Sequence, residues 1–372
     1  MRVVVTGQVG VGKKPFLGRV AELAAQDGQE LAIFNVGDLM YAEAPDVPAG
    51  RILDLPLGRL TALRRSAFKD ILAAAGRHNH VLVNTHATFR WRHGLFYAFD
   101  PDQMQALEAD LYVAMVDNID AVHRRLVHDG HSDHSLKDLI VWREEEILAT
   151  ELLSQIVRGH GRFYIMARGD GDSTAQAMVR LLLHPRVRKA YLSFPMSHVD
   201  GEGAGPAVAA QIDDFRRQMK QYFTCFDPAD VEEKYLGALA LEAARLGKRT
   251  VEAGSGPRRV SMDTAQLLDI LADIDGQIYA RDFKLIDQSD MIISVVPQLA
   301  GGRPGLSSGV ERELQHAHEA AKDVFVIWRP TTPPSPFITE TATKVFPSTA
   351  EAVGYFLDND FVPPPPGGTL FG

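Results

Sequence analysis

Cysteine is almost missing from this chain: Cys225 is the only one in 372 residues, so no disulfide can form within it and a reducing compartment is expected. Long apolar runs are missing too. The opening Met1-Arg2-Val3-Val4-Val5-Thr6 is too short for a signal or membrane helix, and no later run reaches spanning length. A cytoplasmic protein with no membrane partner is expected. Positive charge is not in excess, since 39 Lys and Arg against 48 Asp and Glu leave a net charge of -9. That balance argues against nucleic acid as a partner, although the local pairs Arg64-Arg65 and Arg124-Arg125 can hold a phosphate. Internal repeats are absent. What is present is a globular mixture, 45% hydrophobic and 23% charged, at a length that suggests two domains.

Strand and helix patterns alternate along the first half. Apolar runs at Arg2 to Val5, Leu31 to Val36, His80 to Val83, Leu111 to Val116 and Phe163 to Met166 read as strands. Helical patterns lie between and after them, at about Lys14 to Gln26, Thr61 to Ala75, Ile119 to His128, Lys137 to Val157 and Thr174 to Leu183. Such alternation predicts an α/β fold with a parallel sheet covered by helices. His184-Pro185-Arg186 interrupts the last helix, which places a domain boundary near residue 185.

Directly after the first strand, Gly7-Gln8-Val9-Gly10-Val11-Gly12-Lys13 fits a phosphate-binding loop in the strand-to-helix context that the motif requires. Gly7, Gly10 and Gly12 let backbone amides approach phosphate oxygens, and Lys13 and Lys14 bring positive charge. Residues 1 to 182 resemble adenylate-kinase-type nucleotide kinases. Beyond the loop, the resemblance rests on Asn35-Val36-Gly37-Asp38-Leu39-Met40, on Val81-Leu82-Val83-Asn84-Thr85-His86 and on Asp120-Ala121-Val122-His123-Arg124-Arg125-Leu126. It implies ATP and Mg²⁺ at this domain. Three positions depart from the family: Lys14 stands where a Ser or Thr holds magnesium, Asn84 stands at an acidic position, and the lid stretch His128 to His134 lacks a second arginine. Because phosphoryl transfer depends on those groups, nucleotide binding is expected ahead of turnover, with Lys14 partly replacing the metal's charge. His128, His131 and His134 recur every third residue, yet in a polar, glycine-interrupted loop they read as lid residues, and no metal site is expected.

The second constellation lies near the C-terminus. The strand-like run Met291 to Val296 leads through the glycine-rich Gly301 to Gly305 into Ser307-Ser308-Gly309-Val310-Glu311-Arg312-Glu313, where Ser307 or Ser308 caps a helix reaching about Ala321. Glu313 then falls near the first turn, beside amides that favour anions. Residues 188 to 330 resemble the nucleoside 2-deoxyribosyltransferase superfamily, and within it the 2'-deoxynucleoside 5'-phosphate N-hydrolases. The blocks are Ala190-Tyr191-Leu192-Ser193-Phe194-Pro195-Met196, Asp282-Phe283-Lys284-Leu285-Ile286-Asp287-Gln288-Ser289-Asp290, and Ser307 to Glu313. This resemblance implies a flavodoxin/Rossmann-like doubly wound domain with no cofactor for the glycosidase, and a homo-oligomer. It implies Glu313 as nucleophile, Asp282 as the acid for the leaving base, Tyr191 as the residue orienting the nucleophile, and Asp290 as a further match. Ser307 replaces the aspartate that contacts a sugar 5'-hydroxyl in the transferases, which points to a 5'-phosphate, with Ser308 and Gly309 adding to its cradle.

The expected organisation is a P-loop kinase-like domain over residues 1–184 and a deoxyribosyltransferase-like domain over 185–348 carrying a helical insertion at about 232–279. A terminal helix and a Pro/Gly-rich tail would fill 349–372. The leading expectation is hydrolysis of the N-glycosidic bond of a (deoxy)nucleoside 5'-monophosphate, with nucleotides as partners. The competing expectations are a nucleoside monophosphate kinase with an inert second domain and a non-enzymatic nucleotide sensor.

Overall fold

The computed structural model describes residues 1–91, 94–130, 134–169, 171–196 and 205–363. The centre of the lid stretch (His131, Ser132, Asp133) and the tail from Pro364 to Gly368 lie outside the described residues. The chain divides into two compact units, Met1–Gln176 with Asp230–Ile278, and Ala177–Ala229 with Tyr279–Gly372.

In the first unit, strands β1 (Arg2–Thr6), β2 (Ala32–Asn35), β3 (Val81–Asn84), β6 (Leu111–Val116) and β7 (Phe163–Ala167) form one parallel sheet in the order β2-β3-β1-β6-β7. The runs are nearly continuous in Val, Ile and Leu because helices cover both faces, and all six residues of β6 are buried. Val4, Val81, Val83 and Tyr112 pack with Phe68 and Ile71 from the helix Leu57–Ala75. An antiparallel hairpin, β4 (Thr88–Trp91) with β5 (Gly94–Tyr97), follows β3 and is an element that the sequence pattern did not suggest.

The second unit opens with β8 (Lys189–Ser193) and β9 (Thr224–Phe226), after which the chain returns to the first unit for residues 230–278. This segment therefore groups with the first unit rather than with the strands on either side of it in sequence. Nor is it all helical. Between the helices Lys234–Arg245 and Thr264–Asp269 it forms a hairpin, β10 (Thr250–Ala253) with β11 (Val260–Asp263). Val251 and Ala253 alternate with polar residues, as do Val260 and Met262, and Gly254-Ser255-Gly256-Pro257 supplies the turn. Gly254 sits at φ +76°, and a Cβ there would lie 2.4 Å from the Arg258 carbonyl oxygen.

What fixes the segment is a buried charge. Arg143, on the helix Leu136–Arg158, is 3% exposed, and Glu233 accepts from both of its terminal nitrogens at 2.7 and 3.0 Å. Glu233 also accepts the Ile119 N–H at 2.7 Å. A buried guanidinium needs such an anion, so the segment completes the first unit electrostatically as well as by packing.

The remaining strands, β12 (Met291–Val296), β13 (Asp323–Trp328) and β14 (Lys344–Phe346), complete a second parallel sheet in the order β14-β13-β12-β8-β9. In chain order this is the flavodoxin-like doubly wound arrangement, with its topological switch point between β8 and β12. Ile293, Phe215, Phe223, Phe325 and Phe356 make its core, and the rings of Phe325 and Phe356 meet edge to face at 4.9 Å. The helix Ser308–Glu319 follows β12 and buries Val310, Leu314 and Ala317, the i, i+4, i+7 stripe of an amphipathic helix. A terminal helix, Thr349–Asp358, is present.

Candidate functional site

At the switch point of the second unit, three side chains converge. Tyr191 and Ser193 are two apart on β8 and so share a face of the strand. The Tyr191 hydroxyl donates to Glu313 Oε1 at 3.1 Å, and the Ser193 hydroxyl donates to Glu313 Oε2 at 2.6 Å. Both donors are fully buried. Burial pushes the Glu313 carboxyl up to about 8; the Ser193 bond opposes this, the negative charge of Asp282 adds to it, and the Tyr191 bond opposes it. Burial, then Glu313 and Asp282, likewise hold the Tyr191 phenol well above its ordinary value, so it stays a donor. Asp282, itself buried on the helix Leu271–Asp287, is thus within electrostatic reach of both groups.

The sequence reading named Glu313, Tyr191 and Asp282, and the structure brings these three together. It missed Ser193, which the period-two spacing from Tyr191 would have supplied. Glu313 also lies one turn deeper than expected: the helix starts at Ser308, and the acid of its first turn is Glu311. Ser307 is the cap, its hydroxyl accepting the Val310 N–H at 3.2 Å, which leaves the O–H free to donate elsewhere. Ser308 and Gly309 are exposed and contribute the first N–H groups of the helix, which have no partner within it. Asp290 stands apart. It precedes β12, accepts the Lys189 N–H at 2.8 Å and pairs with the Lys189 ammonium at 3.0 Å, at the strand ends opposite to those leading toward Ser307. Its role there is to pin β8 to β12.

In the first unit, the loop after β1 opens on a cavity of about 440 Å³. Gly12 caps the helix Lys13–Gln26 in the left-handed region at φ +80°, and no side chain caps that helix, so its first amides are left for an anion. Gly7 has φ +141°, and a Cβ there would stand 2.6 Å from the Met115 carbonyl oxygen. The Lys13 ammonium donates to the Gly7 carbonyl and lies 3.4 Å from His86 Nδ1. Burial lowers Lys13 to about 8, partly opposed by Glu146. Arg64 lines the same cavity, 8% exposed, with its guanidinium 5.0 Å from the centre of the Phe89 ring. Burial lowers Arg64 to about 10 with no carboxylate raising it. By contrast, Arg65 pairs with Asp100 at 3.1 Å and Arg125 is bound to Asp117.

The positions that would hold magnesium are otherwise engaged. Lys14 lines the cavity and makes a surface ion pair with Asp38 at 2.8 Å. Asn84 donates to the Asn35 side chain at 2.8 Å. Among the described residues no group of three or more His, Cys, Asp or Glu could hold a metal. The loop, with Lys13, fits a nucleotide's phosphates, while Lys14 and Asn84 offer no hydroxyl or carboxylate to a Mg²⁺.

Residues 6–142 match a family model described as an AAA domain, over less than half of the chain. The loop geometry and this match together support a P-loop, nucleotide-binding domain in the first unit. Among solved structures, similarity extends to shikimate kinase from Bacteroides thetaiotaomicron, at 13% identity and a TM-score of 0.34, covering 49% of this chain and 98% of that one. It also extends to shikimate kinase from Acinetobacter baumannii in complex with shikimate, at 13% identity and a TM-score of 0.34, covering 50% and 93%. A chain of the Pnkp1/Rnl/Hen1 RNA repair complex matches at 9% identity and a TM-score of 0.28, covering 96% and 85%. Among the described residues no helix is long and apolar enough to cross a membrane.

Proposed function

We propose that the second unit hydrolyses the N-glycosidic bond of a (deoxy)nucleoside 5'-monophosphate, releasing free base and a sugar 5-phosphate. The observation that carries this reading is the Glu313 carboxylate held by the Tyr191 and Ser193 hydroxyls at a sheet switch point, with Asp282 close enough to raise it. Two carboxyls in mutual reach favour holding one proton between them. Glycoside cleavage requires one proton placed asymmetrically. The proton rests on Glu313 at neutral pH; once it passes to Asp282, the Glu313 carboxylate attacks the anomeric carbon, the bond to nitrogen breaks, and Asp282 protonates the departing base. Water then displaces the sugar from Glu313 and returns a proton to the pair. Ser307, Ser308 and Gly309 supply a hydroxyl and helix-start amides for the 5'-phosphate.

The test is a panel of nucleosides and their 5'-monophosphates incubated with the full chain, with base release followed by chromatography. Release from monophosphates but not nucleosides is expected, and Ser307→Asp should reverse that preference through like-charge repulsion. No release from any monophosphate would overturn the reading.

A second reading concerns the first unit, and Arg64 favours it. A buried cation with no carboxylate partner among the described residues, in a cavity beside a phosphate loop, suits the anionic group of an acceptor, so this unit would transfer the γ-phosphoryl of ATP to a small anionic molecule. Arg64→Met should weaken acceptor binding about tenfold or more while leaving ATP binding intact. Such a nucleotide-processing chain, with substrate nucleotides at both units, agrees with its acidic balance.

A further inference from the structure

Behind the P-loop lysine lies a pair of side chains that a phosphate loop does not itself require. Glu146, on the helix Leu136–Arg158, is 1% exposed. One of its carboxylate oxygens accepts the Ala87 N–H at 2.8 Å, and the other lies 3.2 Å from His86 Nδ1. His86 follows β3, keeps about a third of its side chain open (35%), and lines the cavity that also holds Lys13 and Arg64. Its Nδ1 faces two groups with opposite demands, since Glu146 accepts and the Lys13 ammonium donates. One ring nitrogen cannot serve both, so whichever partner holds it sets the tautomer. When nucleotide phosphates draw Lys13 from the Gly7 carbonyl toward themselves, the acceptors left to the ring are Glu146 and the Gly7 carbonyl, and Glu146 is the one placed at Nδ1. The Nδ1–H then points at Glu146, and the lone pair of Nε2 becomes available to the cavity.

We propose that His86, held in this tautomer by Glu146, is the general base of the first unit and that its acceptor is therefore a hydroxyl rather than a phosphate oxygen. The inference rests on the reading of this unit as a phosphoryl-transfer site. In the step, His86 Nε2 takes the acceptor's O–H proton as that oxygen bonds to the γ-phosphorus, and the bond to the β-bridging oxygen breaks to release ADP. A phosphate acceptor has no such proton to lose, so a base positioned here would serve no purpose for it. Glu146 acts through His86 and is a positioning residue. Loss of solvent lowers His86 most and Lys13 lowers it further, while Glu146 and a bond to the Gly7 backbone raise it. The ring is thus neutral and able to accept a proton near pH 7.

The experiment uses the full chain, with water as the simplest hydroxyl acceptor. Phosphate release from ATP is measured across pH in wild type, His86→Asn and Glu146→Gln, alongside binding of a fluorescent ATP analogue. Ring nitrogen NMR of ¹⁵N-histidine-labelled protein is recorded with a non-hydrolysable ATP analogue. The expected result is a loss of about 10²-fold or more in His86→Asn with analogue binding retained. Glu146→Gln should fall less and shift its acid limb to lower pH, since the group that raises His86 is gone. The His86 spectrum should show the Nδ1–H tautomer in wild type and lose it in Glu146→Gln. Unchanged hydrolysis in His86→Asn, or an Nε2–H tautomer in the wild-type complex, overturns the proposal while leaving phosphoryl transfer standing. Tight analogue binding with no phosphate release in wild type, with or without added small hydroxyl compounds, removes the underlying reading and the proposal together.

Discussion

Glu313 concentrates the chemistry in one side chain, and its environment has a measurable cost. Below the ordinary glutamate value of 4.5 the carboxyl is neutral in both folded and unfolded chains. Above it the unfolded chain releases the proton while the folded one keeps it up to about 8, so stability falls across that interval and levels off beyond it. Glu313→Gln removes the titration. Its melting temperature should match wild type near pH 4 and exceed it increasingly toward pH 8, a comparison that thermal melts at several pH values provide. The same pair of carboxyls sets the pH dependence of base release. Loss of their shared proton removes the leaving-group acid, so the rate should fall as pH rises through about 8. Ser193→Ala deletes the bond that most opposes the rise, and should move that alkaline limb upward by roughly one pH unit. Steady-state rates across pH in the two proteins check the direction. Glu313, Asp282 and Tyr191 were legible in the sequence because their motifs are local in kind even when distant in number. Ser193, Arg64, His86 and Glu146 carry no motif; burial and a partner from another element give them meaning, and neither is written along the chain.

At the scale of elements, the strands were the most legible feature, since buried parallel strands leave near-continuous apolar runs such as Leu111 to Val116 and Met291 to Val296. Short edge and hairpin strands were not. Thr224–Phe226 and Lys344–Phe346 are three residues each, too short to show a period, and the hairpin of Thr250–Ala253 with Val260–Asp263 lay between helical patterns. The segment containing that hairpin is tied to the helix Leu136–Arg158 by the buried pair of Arg143 and Glu233. Glu233→Ala strands a guanidinium in the interior and should cost about 3–5 kcal/mol of stability, readable by urea unfolding. Arg143→Met with Glu233→Leu should recover most of that loss, because the desolvation penalty goes with the charges.

For the whole molecule, sequence continuity and compactness part company: the first unit is assembled from residues before and after the strands β8 and β9. A fragment ending at residue 184, the boundary that the His184-Pro185-Arg186 break suggested, would lack Glu233 and Gln277, which accept from Arg143 and, for Gln277, also donate to the Ile140 carbonyl at 2.9 Å. Such a fragment should melt at lower temperature and less cooperatively than the full chain, as circular dichroism would record. The alternation that revealed two α/β layers carries no mark of this return, since it is made by long-range contacts. The central claim lies in the second unit, and side-by-side base release from a deoxynucleoside 5'-monophosphate at pH 7 by wild type and Glu313→Gln tests it most directly. The account predicts free base from wild type and a loss of about 10³-fold or more in the variant. Equal release from both, or none from wild type, would contradict it.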